Sequence, residues 1–164
     1  MGRNRLGVYL HLVWGTWDRE PLLTDGIEGP VHRIIGQEAT NLGCGVVAVS
    51  GVADHVHVLL EFPATISIAD LVRQIKGVSA RWAADARGGV GAFKWQGSYG
   101  AFSISASHVD VVAAYVNHQE QHHAAGTLIP RLEFDPPPRR PSPGACEGRR
   151  AVARSATPSD GFSR

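Results

Sequence analysis

HVHVLLEF, residues 55–62, is the stretch on which the reading of this chain turns. A β-strand rises about 3.3 Å per residue and sends successive side chains to opposite faces. His55, His57, Leu59 and Glu61 then share one face, and Val56, Val58, Leu60 and Phe62 share the other. The second face is that of a buried strand. On the first, the two imidazoles stand about 6.6 Å apart at the backbone, close enough to converge on one small ion or phosphate. Taken alone, an H-x-H pair reads more readily as two hydrogen-bonded or partly exposed histidines, so its meaning depends on the rest of the chain.

Working outward, VVAVSGV (46–52) reads as a strand joined to the histidine strand by the Ala53-Asp54 step of a hairpin. LGVYLHLVWGTW (6–17) is β-branched and aromatic enough for a first strand. Between them, Val31, Ile34, Ile35, Ala39 and Leu42 recur at helical spacing from about Gly29 to Leu42. Downstream, Ser67 with Asp70 three residues on can cap a helix that lines up Ile68, Leu71, Val72, Ile75, Val78 and Trp82 on one face. FKWQGSYGAFSIS (93–105) suggests a strand pair broken by glycines, and Ser107 with Asp110 can cap a last helix from 108 to about 123, ending before Gly126. The order β-α-β-β-α-β-(β)-α predicts an α+β fold, a ferredoxin-like antiparallel sheet with helices on one face.

The 164 residues, 43% hydrophobic and 19% charged, suit one globular domain with a real core. The composition changes abruptly after Phe134. The last thirty residues hold six of the ten prolines, six arginines and three acidic residues, and cannot assemble a core. The expected organisation is therefore a domain over 1–134 and a disordered Pro/Arg-rich tail over 135–164. Removing the tail leaves ten basic against twelve acidic residues, a body at −2. A nucleic-acid binder usually shows a basic surface, but all eight histidines lie in the body and the net count says nothing about clustering. No apolar run is long enough to cross a membrane and no cleavable signal is recognisable, so the expectation is cytoplasmic with no membrane partner. Cys44 and Cys146 have no partner at metal-ligand spacing.

The last helix carries a second constellation, YVNHQEQHH (115–123). Val109, Val112, Ala113 and Val116 form its buried stripe, and Tyr115 and Gln119, four apart, border it as surface neighbours, with His122 a turn further on. A phenol, a carboxamide and an imidazole thus line one face, where the tyrosine can work beside the strand's histidines. The histidines at 118, 122 and 123 also fit a polar helix end favoured by the dipole.

Together these residues resemble a known family. Four stretches in order, DHVHVLL (54–60), LVRQIKGVSAR (71–81), WQGSYGAFS (95–103) and YVNHQ (115–119), are similar to the signatures of the small single-tyrosine HUH transposases, which include those of the smallest insertion sequences and their relatives associated with repetitive extragenic palindromes. The opening YLHLVWGTWDREPLL resembles their first strand, and the likeness spans roughly residues 6–125. It implies the HUH nuclease fold and an enzyme that cleaves and rejoins single-stranded DNA at hairpin-bearing ends through a 5′-phosphotyrosine. On this sequence the nucleophile would be Tyr115, the metal ligands His55, His57 and Gln119, and the working unit a homodimer whose tyrosine helix can serve either subunit.

The chemistry suits these residue types. A cation on a non-bridging phosphate oxygen polarises the phosphodiester, and neutral imidazoles with a carboxamide oxygen leave its charge largely uncancelled. Two nitrogens and one oxygen, with room for phosphate and water, indicate magnesium or manganese. Tyrosine, with an ordinary pKa of about 10, needs positioning to attack at neutral pH. On the helix after Ser67, Arg73, Lys76 and Arg81 could grip backbone phosphates, although solvated helix charges account for them equally well. Trp17 stands where many relatives carry a lysine, which removes a phosphate contact and offers a base-stacking surface. A hairpin-binding protein that does not cut, and an unrelated metal-dependent hydrolase with no need of Tyr115, are the competing readings. Deleting the chain after Asp135 is expected to shift the melting temperature by no more than about 2 °C, because no periodic apolar segment follows; calorimetry of the truncated and full chains checks this.

Overall fold

The computed structural model describes residues 6–133, so the expected tail over 135–164 lies outside the described residues. Four strands, β1 (Tyr9–Gly15), β2 (Gly45–Val52), β3 (His55–Glu61) and β4 (Gly100–Ile104), form one sheet in the order β2-β3-β1-β4, with every neighbouring pair antiparallel. Helices α1 (Glu28–Asn41) and α2 (Ile68–Ala86) follow β1 and β3, and α3 (Val109–Asn117) and α4 (Gln119–Ala125) follow β4. This is the ferredoxin-like α+β layout that the sequence predicts, with central strands β1 and β3.

The alternation in β1 and β3 sorts the layers. Leu10, Leu12 and Trp14 pair with Leu60, Val58 and Val56 and enter one core with Val31, Ile35 and Ala39 of α1 and Leu71, Val72 and Ile75 of α2. Each such side chain, fully buried, contributes about 1.5–3 kcal/mol, so this layer carries the fold. α1 and α2 thus share one face, as expected. The terminal helix goes to the other: Val112 and Val116 of α3 pack on Ala48 and Leu59. The apolar stripe read from the sequence is what seats it there, on the face that carries the imidazoles.

Of three local expectations one holds and two meet a competing hydrogen bond. Ser67 caps α2 as read, its hydroxyl accepting from the Asp70 amide at 3.1 Å. Ser107 does not cap α3; its hydroxyl and that of Ser105 engage His108 Nδ1 at 3.1 and 2.7 Å, a 3₁₀ turn covers Ala106–His108, and the helix begins at Val109. The continuous helix expected from 108 to 123 is broken at His118 (φ −112°, ψ 26°). There the His118 side chain takes the Ala114 carbonyl at 2.7 Å, the acceptor its own backbone N–H would use in an unbroken helix, and that N–H turns to the Tyr115 carbonyl at 3.3 Å.

Of the strand pair expected in 93–105, only β4 forms, with a single bridge between Thr16 and Trp95 ahead of it. Phe93 and Trp95 are anchored by the core instead: Trp95 Nε1 donates to Ser79 at 3.0 Å, and Lys76 donates to the carbonyls of Gln96 and Ser98 at 2.6 and 3.1 Å. With carbonyls held by an α2 side chain, the segment has no free edge to extend a ladder. Among the described residues no helix is long and apolar enough to cross a membrane.

The β2–β3 hairpin closes in two residues, Val52 pairing with His55. Its closeness rests on Gly51, where an added Cβ would lie 2.2 Å from the His55 carbonyl oxygen. Gly51→Ala is expected to destabilise the domain by about 1–3 kcal/mol, read as a lowered urea midpoint at unchanged slope.

Candidate active site

Both histidines of β3 are fully buried, as are His11 and Gln119. The β1–β3 register sets Val13 opposite His57 and Gly15 opposite His55, which places His11 diagonally across from His57 on the same face. His11 Nε2 and His57 Nδ1 lie 3.0 Å apart, with the two rings stacked at 11°. On the other histidine, Nδ1 lies 2.6 Å from Asp54 Oδ1, and Arg19 Nε lies 3.0 Å from the second oxygen of that carboxylate. Gly15 makes room for this arm, since a Cβ there would sit 3.1 Å from the Arg19 stem. Asp18 and Arg19 both adopt left-handed backbone, φ 51° and 59°.

The Nε2 atoms face away from these anchors toward the terminal helix and the segment after it. His55 Nε2 is 3.6 Å and His57 Nε2 3.5 Å from Glu133 Oε2, the latter at the outer edge of hydrogen bonding. The other Glu133 oxygen accepts from the Tyr115 hydroxyl, which itself accepts from the Ile129 amide at 3.2 Å. His123 Nε2 reaches within 3.2 Å of His55 Nε2, and the ring of His122 packs on Tyr115 with centroids 4.7 Å apart. Tyr115 meets His57 edge-on at 6.2 Å and is 3% exposed. Within one chain, then, the phenol and both imidazoles border a single carboxylate.

Burial and proximity set the charges. Burial, then the neighbouring His57, lowers His11 to about 3, and burial lowers His57 against the pull of Glu133. Burial works to raise Glu133, but the contacts from His57 and Tyr115 and the histidine charges outweigh it and hold the carboxyl at about 2. Burial, reinforced by that carboxylate, raises the Tyr115 phenol above its ordinary value. At neutral pH a protonated Tyr115 phenol and neutral His11 and His57 rings thus border the ionised Glu133 carboxylate.

The donor atoms of His55, His57 and Glu133 all lie within 4.8 Å of one another. Donors bonded to one cation lie within about twice the bond length of one another, about 4–5 Å, so this set is close to what a single cation requires. Three buried atoms at the site have no hydrogen-bond partner among the described residues, His11 Nδ1, His57 Nε2 and Gln119 Oε1, the Gln119 amide nitrogen having turned to the Tyr115 carbonyl at 3.4 Å. Unpartnered buried polar atoms of this kind are what a missing cation leaves behind.

The remaining residues singled out from sequence lie elsewhere. Arg73 pairs with Asp70 at 2.9 Å on the exposed face of α2, and Arg81 is exposed on the same helix. Lys76 is turned inward to its two carbonyls, and burial lowers its ammonium to about 8. Arg73 and Lys76 nevertheless border a groove of about 380 Å³ with Lys94, Gln96 and Tyr99. Lys94 Nζ sits 3.4 Å over the Trp17 ring, so Trp17 is a platform already covered by a cation. Sequence reasoning passed over Glu133, His123, His11 and Asp54. His123 follows Gln119 by four on one helix face and His11 has the parity of the inward face of β1, both readable signals; nothing in the sequence marks Glu133, whose place depends on the turn after α4.

The family model for IS200-like transposases matches residues 4–119, a span that takes in His11, His55, His57, Tyr115 and Gln119 and stops short of His123 and Glu133. Over 71 residues the chain is 32% identical to the ISDra2 transposase TnpA of Deinococcus radiodurans, covering 43% of this chain and 51% of that protein. The chain thus spans about half the length of that relative. A crystal structure of a candidate transposase from Deinococcus radiodurans R1 matches with a TM-score of 0.56 at 29% identity, covering 73% of this chain and 96% of the other. A REP-associated tyrosine transposase bound to a REP hairpin shares the fold, with a TM-score of 0.53 at 16% identity over 78% of this chain and 76% of its own.

Proposed function

The chain belongs to the IS200-like transposase family, and from that premise we propose that it cleaves and rejoins single-stranded DNA at hairpin-bearing ends through a 5′-phosphotyrosine on Tyr115. One observation carries the reading: the Tyr115 hydroxyl and the Nε2 atoms of His55 and His57 meet at the two oxygens of one carboxylate. A carboxylate oxygen has the charge and nearly the size of a non-bridging phosphate oxygen. A site that brackets such a group, a nucleophile at one oxygen and two ligand nitrogens at the other, has the layout that in-line attack on a phosphodiester requires.

In this reading the Tyr115 oxygen attacks phosphorus, the new O–P bond replaces the bond to O3′, and the freed 3′ oxygen takes up a proton as the phenol loses one. Glu133 is the nearby acceptor for the phenol proton, and its hydrogen bond aims the hydroxyl before DNA arrives. The phosphotyrosine keeps the energy of the broken bond, and attack by a 3′-hydroxyl reverses the step and rejoins strands. His55 and His57 would hold magnesium or manganese, with Gln119 Oε1 and the Glu133 carboxylate as candidate oxygen donors. The cation would supply electrophilic polarisation of the phosphate.

Arg73 and Arg81 are the proposed phosphate contacts. Two of the three ammonium donors of Lys76 are engaged, which leaves one for DNA. The proposed assembly on DNA is a homodimer, although Tyr115 reaches the imidazoles of its own chain without a partner.

Incubating the protein with hairpin-bearing single strands and manganese is expected to give a covalent adduct, stable to denaturing gels, that chelator abolishes and Tyr115→Phe eliminates. His57→Ala should slow adduct formation by about 10³-fold or more while hairpin affinity stays within a few-fold, since it removes a ligand and little of the DNA surface. Binding without adduct in the unmodified chain would assign it to the hairpin-binding class instead, and neither binding nor adduct would defeat both.

A further inference from the structure

A neutral imidazole carries one proton on two nitrogens, so whatever bonds to one nitrogen decides what the other can do. A histidine that gives Nε2 to a cation must hold its proton on Nδ1 and needs an acceptor there. The two histidines of β3 meet this condition differently. His55 Nδ1 faces Asp54 at 2.6 Å, and an ionised carboxylate can only accept. That contact holds the His55 proton on Nδ1 and leaves Nε2 as the ligand nitrogen.

His57 has no such lock. Its Nδ1 faces another imidazole, His11 Nε2, at 3.0 Å, and that pair can share its proton either way. If His11 donates, His57 is left with its proton on Nε2, pointing at Glu133 Oε2 3.5 Å away. If His11 accepts, His57 Nε2 is bare. In the first arrangement the far nitrogen of His11, Nδ1, has only an unpartnered lone pair; in the second it bears an N–H with no acceptor among the described residues. In the first arrangement the buried His57 N–H faces the Glu133 carboxylate at 3.5 Å; in the second a bare lone pair faces that carboxylate and the His11 N–H has no acceptor among the described residues, so the metal-free chain favours the first.

Resting on the proposed metal site, we infer that His11 is a positioning residue that couples its own tautomer to that of His57: the cation site is half locked, by Asp54, and half switchable, by His11. When His57 Nε2 gives its lone pair to a cation, its proton leaves. The shared proton crosses from His11 Nε2 to His57 Nδ1, and His11 takes up one proton on Nδ1. Each ring ends neutral with one proton, and the net proton count is unchanged. The near-parallel ring planes, 11° apart with the two nitrogens at 3.0 Å, and the complete burial of both rings hold the pair in line for this exchange.

Long-range ¹H–¹⁵N spectra of the ring nitrogens, recorded on the full chain without metal and with saturating magnesium, test the relay. The expected result is Nε2–H on both His11 and His57 without metal, and Nδ1–H on both with it, while His55 stays Nδ1–H throughout. A His11 ring that keeps its tautomer while that of His57 changes would overturn the inference, as would Nδ1–H on His11 in the metal-free chain. Calorimetric titration with manganese gives the second readout: His11→Phe should weaken binding by about 10–100-fold, and His11→Gln, whose amide oxygen reaches the place of Nε2, should restore most of it. Equal manganese affinity in His11→Phe and the unmodified chain also overturns it. If the unmodified chain binds neither metal, the metal reading itself fails, and the relay stands or falls on the metal-free spectrum alone.

Discussion

The antiparallel register between β1 and β3 is the constraint on which the rest of this molecule depends. With Val13 opposite His57 and Leu12 opposite Val58, every apolar side chain of the two central strands that points one way meets α1 and α2, and every imidazole points the other. A slip of one residue would exchange the faces wholesale, burying histidines among leucines and turning the core outward. Fold and site are therefore specified by the same pairing. The two-residue β2–β3 hairpin, closed over Gly51, removes the slack that such a slip would need.

That division explains how much could be read from residues alone. Alternation in HVHVLLEF, three-and-four spacing in α1 and α2 and the Ser67 cap are strong local signals and appear where the sequence puts them, except that Val78 of the α2 stripe is exposed and Ser79 and Ala83 take the core face instead. The errors lie where a side chain competes with backbone. His118 takes a carbonyl the helix needed, His108 takes the hydroxyl that would have capped α3, and Lys76 takes the carbonyls of a would-be strand. Propensity and periodicity describe the backbone's preferences and are blind to a neighbour 20 residues away that offers a better bond.

The site divides along the same line. Residues close in sequence were legible: His55 and His57 on one strand face, Tyr115 and Gln119 four residues apart across the break at His118. Residues that enter from a second element were not. His11 belongs to another strand and acquires meaning only through register, and Arg19 only through an irregular turn. Glu133 lies beyond the last helix, where no periodicity marks it. The cations proposed for DNA show the complementary failure, since charge and helical face were read correctly while the inward commitment of Lys76 was invisible.

The pair of left-handed residues at Asp18 and Arg19 has an evolutionary consequence. Such a backbone costs about 1–3 kcal/mol per residue, and at position 19 glycine would relieve it while removing the guanidinium that steadies Asp54 behind His55. Robustness of the fold and aim of the imidazole are thus opposed at one position. A lineage drifting toward greater stability would erode the site there first, without touching any residue that meets the proposed substrate.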